Sequence, residues 1–109
     1  MNAEDFPTPP EIYQQFIERY PKLEKAWEDL SEAGREGPLD AKTVRLIKLA
    51  IAIGGMRQGA VGANVRKAIA LGISQAEIEQ VVALAAAALG MPATVAVFSW
   101  VQSEISKNT

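Results

Sequence analysis

The chain has 109 residues, neither cysteine nor histidine, and a formal net charge of −2. That length suits one domain. The two absences exclude disulfides, thiol nucleophiles, thiol redox centres, imidazole bases and zinc sites built from Cys and His. The chemistry left to the chain belongs to carboxylates, hydroxyls, amines and guanidinia. Its charge is unevenly placed. Residues 1–40 carry −6, residues 77–109 carry −2, and residues 41–76 carry +6 from Lys42, Arg45, Lys48, Arg57, Arg66 and Lys67 without one acid. Apolar residues make up 49% and aromatics only 6%, a balance that favours close-packed helices over sheets.

Residues 1–8 read as a loose arm, with Thr8 as N-cap of a first helix from Pro10 to Tyr20. Ile12, Phe16 and Tyr20 recur every four residues there, and Ile17 widens the stripe. Pro21 restarts the chain into a second helix to Ala33, with Leu23, Ala26, Trp27 and Leu30 on one face. Gly34 to Pro38 reads as a loop. Asp40 then caps a third helix, where Val44, Ile47, Ala50 and Ile51 form the main stripe. Leu46, Leu49 and Ile53 carry the apolar surface almost all round, which predicts deep burial. A fourth helix runs from Gly59 to Leu71, with Gly72 as its C′ residue. Ser74-Gln75-Ala76-Glu77 is a capping box opening a fifth helix to Leu89. Gly90 ends that helix, and Pro92 opens a last one bearing Val95, Val97, Phe98, Val101 and Ile105.

Six helices and no convincing strand predict an all-α fold, with residues 9–109 forming one helical domain. Two nearly all-apolar helices exceed what a core of this size covers, so the expected outlet is a homo-oligomer. The start of the chain is acidic and lacks an apolar core, so no signal peptide is expected. The uncharged run from Gln80 to Ser103 is broken by Gly90-Met91-Pro92, which fits two buried helices better than a membrane span. A cytoplasmic protein with no membrane or nucleic-acid partner, no metal and no cofactor is the expectation.

Between Leu39 and Gln102 the sequence resembles the carboxymuconolactone decarboxylase / alkylhydroperoxidase D-like family. Leu39-Asp40 followed by Thr43-Val44-Arg45-Leu46-Ile47-Lys48-Leu49-Ala50-Ile51-Ala52 looks like the family's "Leu-Asp … Glu-Leu-Ile-x-Leu-Ala-Val-Ala" helix. Ala68 to Ile78 looks like its "Ala-x-x-x-Gly-x-(Ser/Thr)-x-x-Glu-Ile" link, and Gly90-Met91-Pro92-Ala93 like its "Gly-x-Pro-Ala" turn. The resemblance implies an orthogonal array of about six helices, assembled as a trimer or hexamer. It also implies a site. The family's thiol branch carries Glu, eleven residues, Cys-x-x-Cys, three residues and His. Here those columns fall on Arg45, Arg57, Ala60 and Asn64, so all four groups are replaced. Thiol peroxidase chemistry needs the thiolate and is excluded. The lactone-decarboxylase branch tends to have Arg, Glu and His at Arg57, Ala60 and Asn64. Only the arginine matches, which speaks against the usual proton shuttle.

Arg45 and Arg57 in the vacated columns are the candidate ligand-binding residues. Two converging guanidinia repel unless an anion or carboxylate stands between them. The resulting hypothesis is a small anionic ligand, with Asn64 as a neutral donor. The plainer alternative pairs each arginine with an acid of the N-terminal segment, such as Glu28 or Glu32, and leaves Asn64 to backbone groups. Met56, Trp27 and Trp100 read as core or interface packing. Gly54, Gly55, Gly59 and Gly62 mark close helix approach rather than a phosphate loop, since no strand precedes them and no Lys-Ser/Thr pair follows. Three function classes remain at this level: a non-catalytic ligand binder, a divergent decarboxylase-like enzyme using other residues, and a structural oligomeric module.

Overall fold

A computed structural model describes residues 9–108; the arm over residues 1–8 and the expected cap at Thr8 lie outside them. The described residues form six helices and no strand. They are α1 (Pro9–Arg19), α2 (Pro21–Arg35), α3 (Ala41–Gly54), α4 (Gln58–Ala70), α5 (Gln75–Leu89) and α6 (Met91–Lys107). No described helix is long and apolar enough to cross a membrane. Backbone contacts divide the chain into two compact units at Pro38/Leu39.

The first unit is the α1–α2 hairpin. Pro21 stands at the start of α2, and Leu23 N–H donates to the Tyr20 carbonyl at 2.9 Å, so the chain turns without leaving that end unbonded. Helix α2 continues to Arg35, two residues beyond its expected end, before Glu36 N–H closes on the Ala33 carbonyl. Ile17 is buried. Tyr13, Phe16, Leu23, Trp27 and Leu30 line a hollow of about 360 Å³ beside it. Trp27 is 62% exposed rather than packed in a core, because two short helices cannot close over an indole.

The second unit holds α3–α6, in which α3 packs on α4 and α5, and α6 on α4 and α5. The four helices therefore close a ring around one core. Leu49, Ile53, Val61, Val65, Ile78, Val97 and Val101 are fully enclosed there, and Trp100 packs against that cluster. Local signals set the helix ends. Asp40 accepts from Thr43 N–H at 2.7 Å. Ser74 and Glu77 complete the capping box in both directions. At the end of α4, Gly72 N–H reaches the Ile69 carbonyl and Ile73 N–H the Ala68 carbonyl, with Gly72 at φ +82°. That is the Schellman closure for which the left-handed region favours glycine.

Burial of α3 departs from expectation. Leu49, Ala52 and Ile53 are its buried residues, while Ile51 is 69% exposed and Ile47 43% exposed. A helix gripped by two neighbours buries one sector, so apolar character all round does not give burial all round. Val95 and Phe98 of α6 are likewise exposed, whereas Val97, Val101 and Ile105 are buried.

Candidate functional site

Arg45 lies early in α3 and Asn64 midway along α4, on the hairpin formed by these two helices. Arg45 Nη1 donates to Asn64 Oδ1 at 2.7 Å, and Asn64 Nδ2 donates to the Ala60 carbonyl at 2.8 Å. Three of the four columns singled out in the sequence therefore meet: an arginine, an amide and the backbone of an alanine. The amide is engaged at both atoms, since its oxygen holds the guanidinium and its nitrogen holds the preceding turn of its own helix. Arg45 keeps a second edge. Nε is enclosed and has no hydrogen-bond partner, and no bond from Nη2 is found among the described residues. An enclosed donor left unpaired costs about 1–3 kcal/mol. An Nε–Nη2 edge has the geometry that pairs with a planar carboxylate or phosphate, and here its Nε is shielded from solvent.

Arg57 is placed elsewhere on the hairpin. It is the N-cap residue of α4 and is exposed. Its Cγ and Cδ lie over Gly55, within 3.6 Å of where a Cβ would stand. Its N–H closes α3 on the Ala52 carbonyl at 3.2 Å, and Met56 N–H closes on Ile53 at 2.9 Å. This is the same closure as at Gly72, but its left-handed residue is Met56, at φ 53°. Met56 is 38% exposed and so serves the turn rather than filling the core. Seven residues, about 10 Å of helix, separate Arg57 from Asn64. Neither arginine is in an ion pair among the described residues.

Other charges collect around Arg45. Lys67 feels Arg45, Lys48 and Arg66, and its amine is held below the usual lysine range, first by burial and then by those three cations. Arg66 is answered by Glu104 of α6, at 2.8 Å from Nη1 to Oε1. Glu104 is a buried carboxylate that also approaches Lys107 at 3.8 Å. Gly62 makes room for it, because a Cβ there would lie 3.3 Å from Glu104 Oε2. Lys48 and Lys67 have no carboxylate partner among the described residues. The Arg66–Glu104 bond spans 38 residues, and nothing in the local sequence marks it.

The opposite side of α3 carries no such charge. A groove of about 530 Å³ runs between α3 and α5, past Leu46, Ile47 and Ala50 on one wall and Val81, Leu84 and Ala88 on the other. Thr43, Glu77 and Gln80 give it one polar end. Glu77 is ion-paired there with Lys42. The Lys42 amine and the Ser74 backbone and hydroxyl hold its carboxyl down to about 2. Arg45, Arg57 and Asn64 do not line this groove. Its signal in the sequence is the Ile47 and Ala50 stripe, which by itself predicts burial rather than an open groove. Among the described residues no group of three or more acids gathers to hold a metal ion.

Comparison with known proteins adds two matches. The Carboxymuconolactone decarboxylase family model matches residues 21–103. A carboxymuconolactone decarboxylase family protein from Legionella pneumophila, solved in its apo form, superposes with a TM-score of 0.77. The two are 22% identical over 86% of this chain and 85% of that one, a likeness of fold. No curated protein matches the chain by sequence.

Proposed function

The chain belongs to the carboxymuconolactone decarboxylase family, and within it we propose a member that binds a small anionic ligand on the α3–α4 hairpin in place of thiol peroxidase chemistry. The observation that carries this is the guanidinium of Arg45, held by Asn64 through one edge while Nε of the other edge is enclosed without a partner. With no cysteine in the chain, there is no thiolate to attack a peroxide. Columns that would hold a Glu–His proton relay hold an Arg–Asn contact, which fixes a charge in place and moves no proton. Arg57, exposed at the turn, is the outlying cation of the same hairpin.

Thermal-shift titration with aromatic and aliphatic carboxylates and with inorganic phosphate tests this proposal. At least one of these anions is expected to raise the melting temperature, and Arg45→Ala to remove that shift. Arg57→Ala is expected to weaken the shift. Absence of any shift in the native protein, or a shift untouched in Arg45→Ala, overturns the proposal.

A second reading, a structural oligomeric module, draws on the α3–α5 groove together with exposed Ile51, Leu84, Met91, Val95 and Phe98. Apolar exposure on this scale marks an interaction surface more often than a monomer's skin. Sedimentation of the native chain against Leu84→Lys distinguishes it: loss of assembly without loss of anion binding would separate the two functions.

A further inference from the structure

The cations around Arg45 exceed what one carboxylate answers. Lys48 lies three residues after Arg45 on α3, and Lys67 three residues after Asn64 on α4. Three-residue steps keep side chains on one helix face. Helix α4 runs back along α3 from the turn at residues 55–57, which is how Arg45 meets Asn64. Lys48 and Lys67 therefore flank the Arg45–Asn64 contact from opposite ends. Arg66 is removed from the count by Glu104, and no described carboxylate answers the other three. Burial first, and then the three neighbouring cations, disfavour the charged form of Lys67, an effect that an anion beside it would offset.

Resting on the anion-binding reading above, we propose that the ligand's recognised group is a phosphate, as inorganic phosphate or a small soluble phosphate ester, with Arg45, Lys48 and Lys67 as its binding cations. A monocarboxylate brings one charge and two oxygens, both used on the Nε–Nη2 edge of Arg45. It leaves the lysines unanswered. A phosphate monoester brings a charge of about −1.5 to −2 and three acceptor oxygens. Two oxygens match the arginine edge, and the third is left for the flanking amines, which act as point charges and tolerate varied geometry. Asn64 sets the arginine's orientation and is a positioning residue.

Isothermal titration at constant ionic strength with inorganic phosphate, glycerol 3-phosphate, acetate and benzoate is the test. Phosphate probes are expected to bind about tenfold or more tightly than the carboxylates. Lys48→Gln and Lys67→Gln should each lose about tenfold in phosphate affinity, the scale of one hydrogen bond to a charged group, and change carboxylate binding much less. Lys67→Gln should also melt no lower than the native protein when no anion is present, because it removes a repelled charge. Lys25→Gln, on the other unit, is the control and should change nothing. Carboxylates binding as tightly as phosphates, or phosphate affinity unmoved by both lysine variants, overturns the phosphate assignment and leaves the anion-binding reading standing. No heat with any probe, where Arg45→Gln and native protein behave alike, overturns both. Tighter binding to a DNA oligonucleotide or to phosphatidylglycerol vesicles than to glycerol 3-phosphate also overturns the proposal, in favour of a polymer or a membrane surface.

Discussion

Helix α3 presents two unlike sides. Toward α4 it offers Arg45, tied across the hairpin by Asn64, with Lys48 three residues further along. Toward α5 it offers Leu46, Ile47 and Ala50 along an open apolar groove, with one ion pair, Lys42–Glu77, at its polar end. Between them a narrow buried sector, Leu49 with Ala52 and Ile53, holds the helix in the core. The difference teaches how little of a helix the fold has to consume. One sector anchors it, and the other two are released for charged side chains and for an apolar surface.

Removing the anchor gives the largest effect. Leu49 is wholly enclosed, and Leu49→Ala is expected to destabilise the protein by about 2–5 kcal/mol, measured by urea unfolding. A loss under 1 kcal/mol would mean that the two sides of α3 are held by their own contacts instead.

The turn that carries α3 into the charged side gives a smaller change, in the opposite direction. Met56 occupies a left-handed position that costs a non-glycine residue about 1 kcal/mol, in the closure that Gly72 completes without strain. Met56→Gly is expected to recover about 1 kcal/mol, less the extra freedom glycine brings to the unfolded chain. A destabilised variant would assign the methionine side chain a packing role that its exposure does not suggest.

The groove side responds to acid, and the effect is the smallest. Glu77 has its carboxyl held down to about 2 by Lys42 and Ser74, against an ordinary value near 4.5. A carboxyl depressed in the folded state binds protons more readily when unfolded. Its stabilising contribution is therefore present above about pH 4.5 and fades as the pH falls toward about 2. Glu77→Gln should flatten the melting temperature over that window relative to the native protein. Identical slopes would show that Lys42–Glu77 does not hold the groove's polar end.

Much of this architecture is written in short segments. Asp40, Ser74-Gln75-Ala76-Glu77 and Gly72 act on backbone groups three or four residues away, so their helix ends are legible without a fold. The order of weak marks from Leu39 to Gln102 carried the family, and the family's spacing put Arg45 and Asn64 in columns that the hairpin brings within 2.7 Å. Arg57 escaped that logic. Its backbone is used to close one helix and start the next, which fixes it at the turn. Met56 escaped as well, since the left-handed position falls on it and not on the neighbouring Gly55.

The sequence by itself settled the helix count, the caps, the absence of thiol and imidazole chemistry, and the concentration of positive charge between residues 41 and 76. Those follow from composition and from interactions a few residues long. Only the tertiary structure decided which sector of α3 is buried, that Glu104 neutralises Arg66 across 38 residues while Lys48 and Lys67 go unanswered among the described residues, and that Arg45 keeps an enclosed, unpartnered edge. A helix that is apolar on nearly every side has no preferred orientation of its own. Neighbours supply one, and with it they determine which charges are paired and which are not.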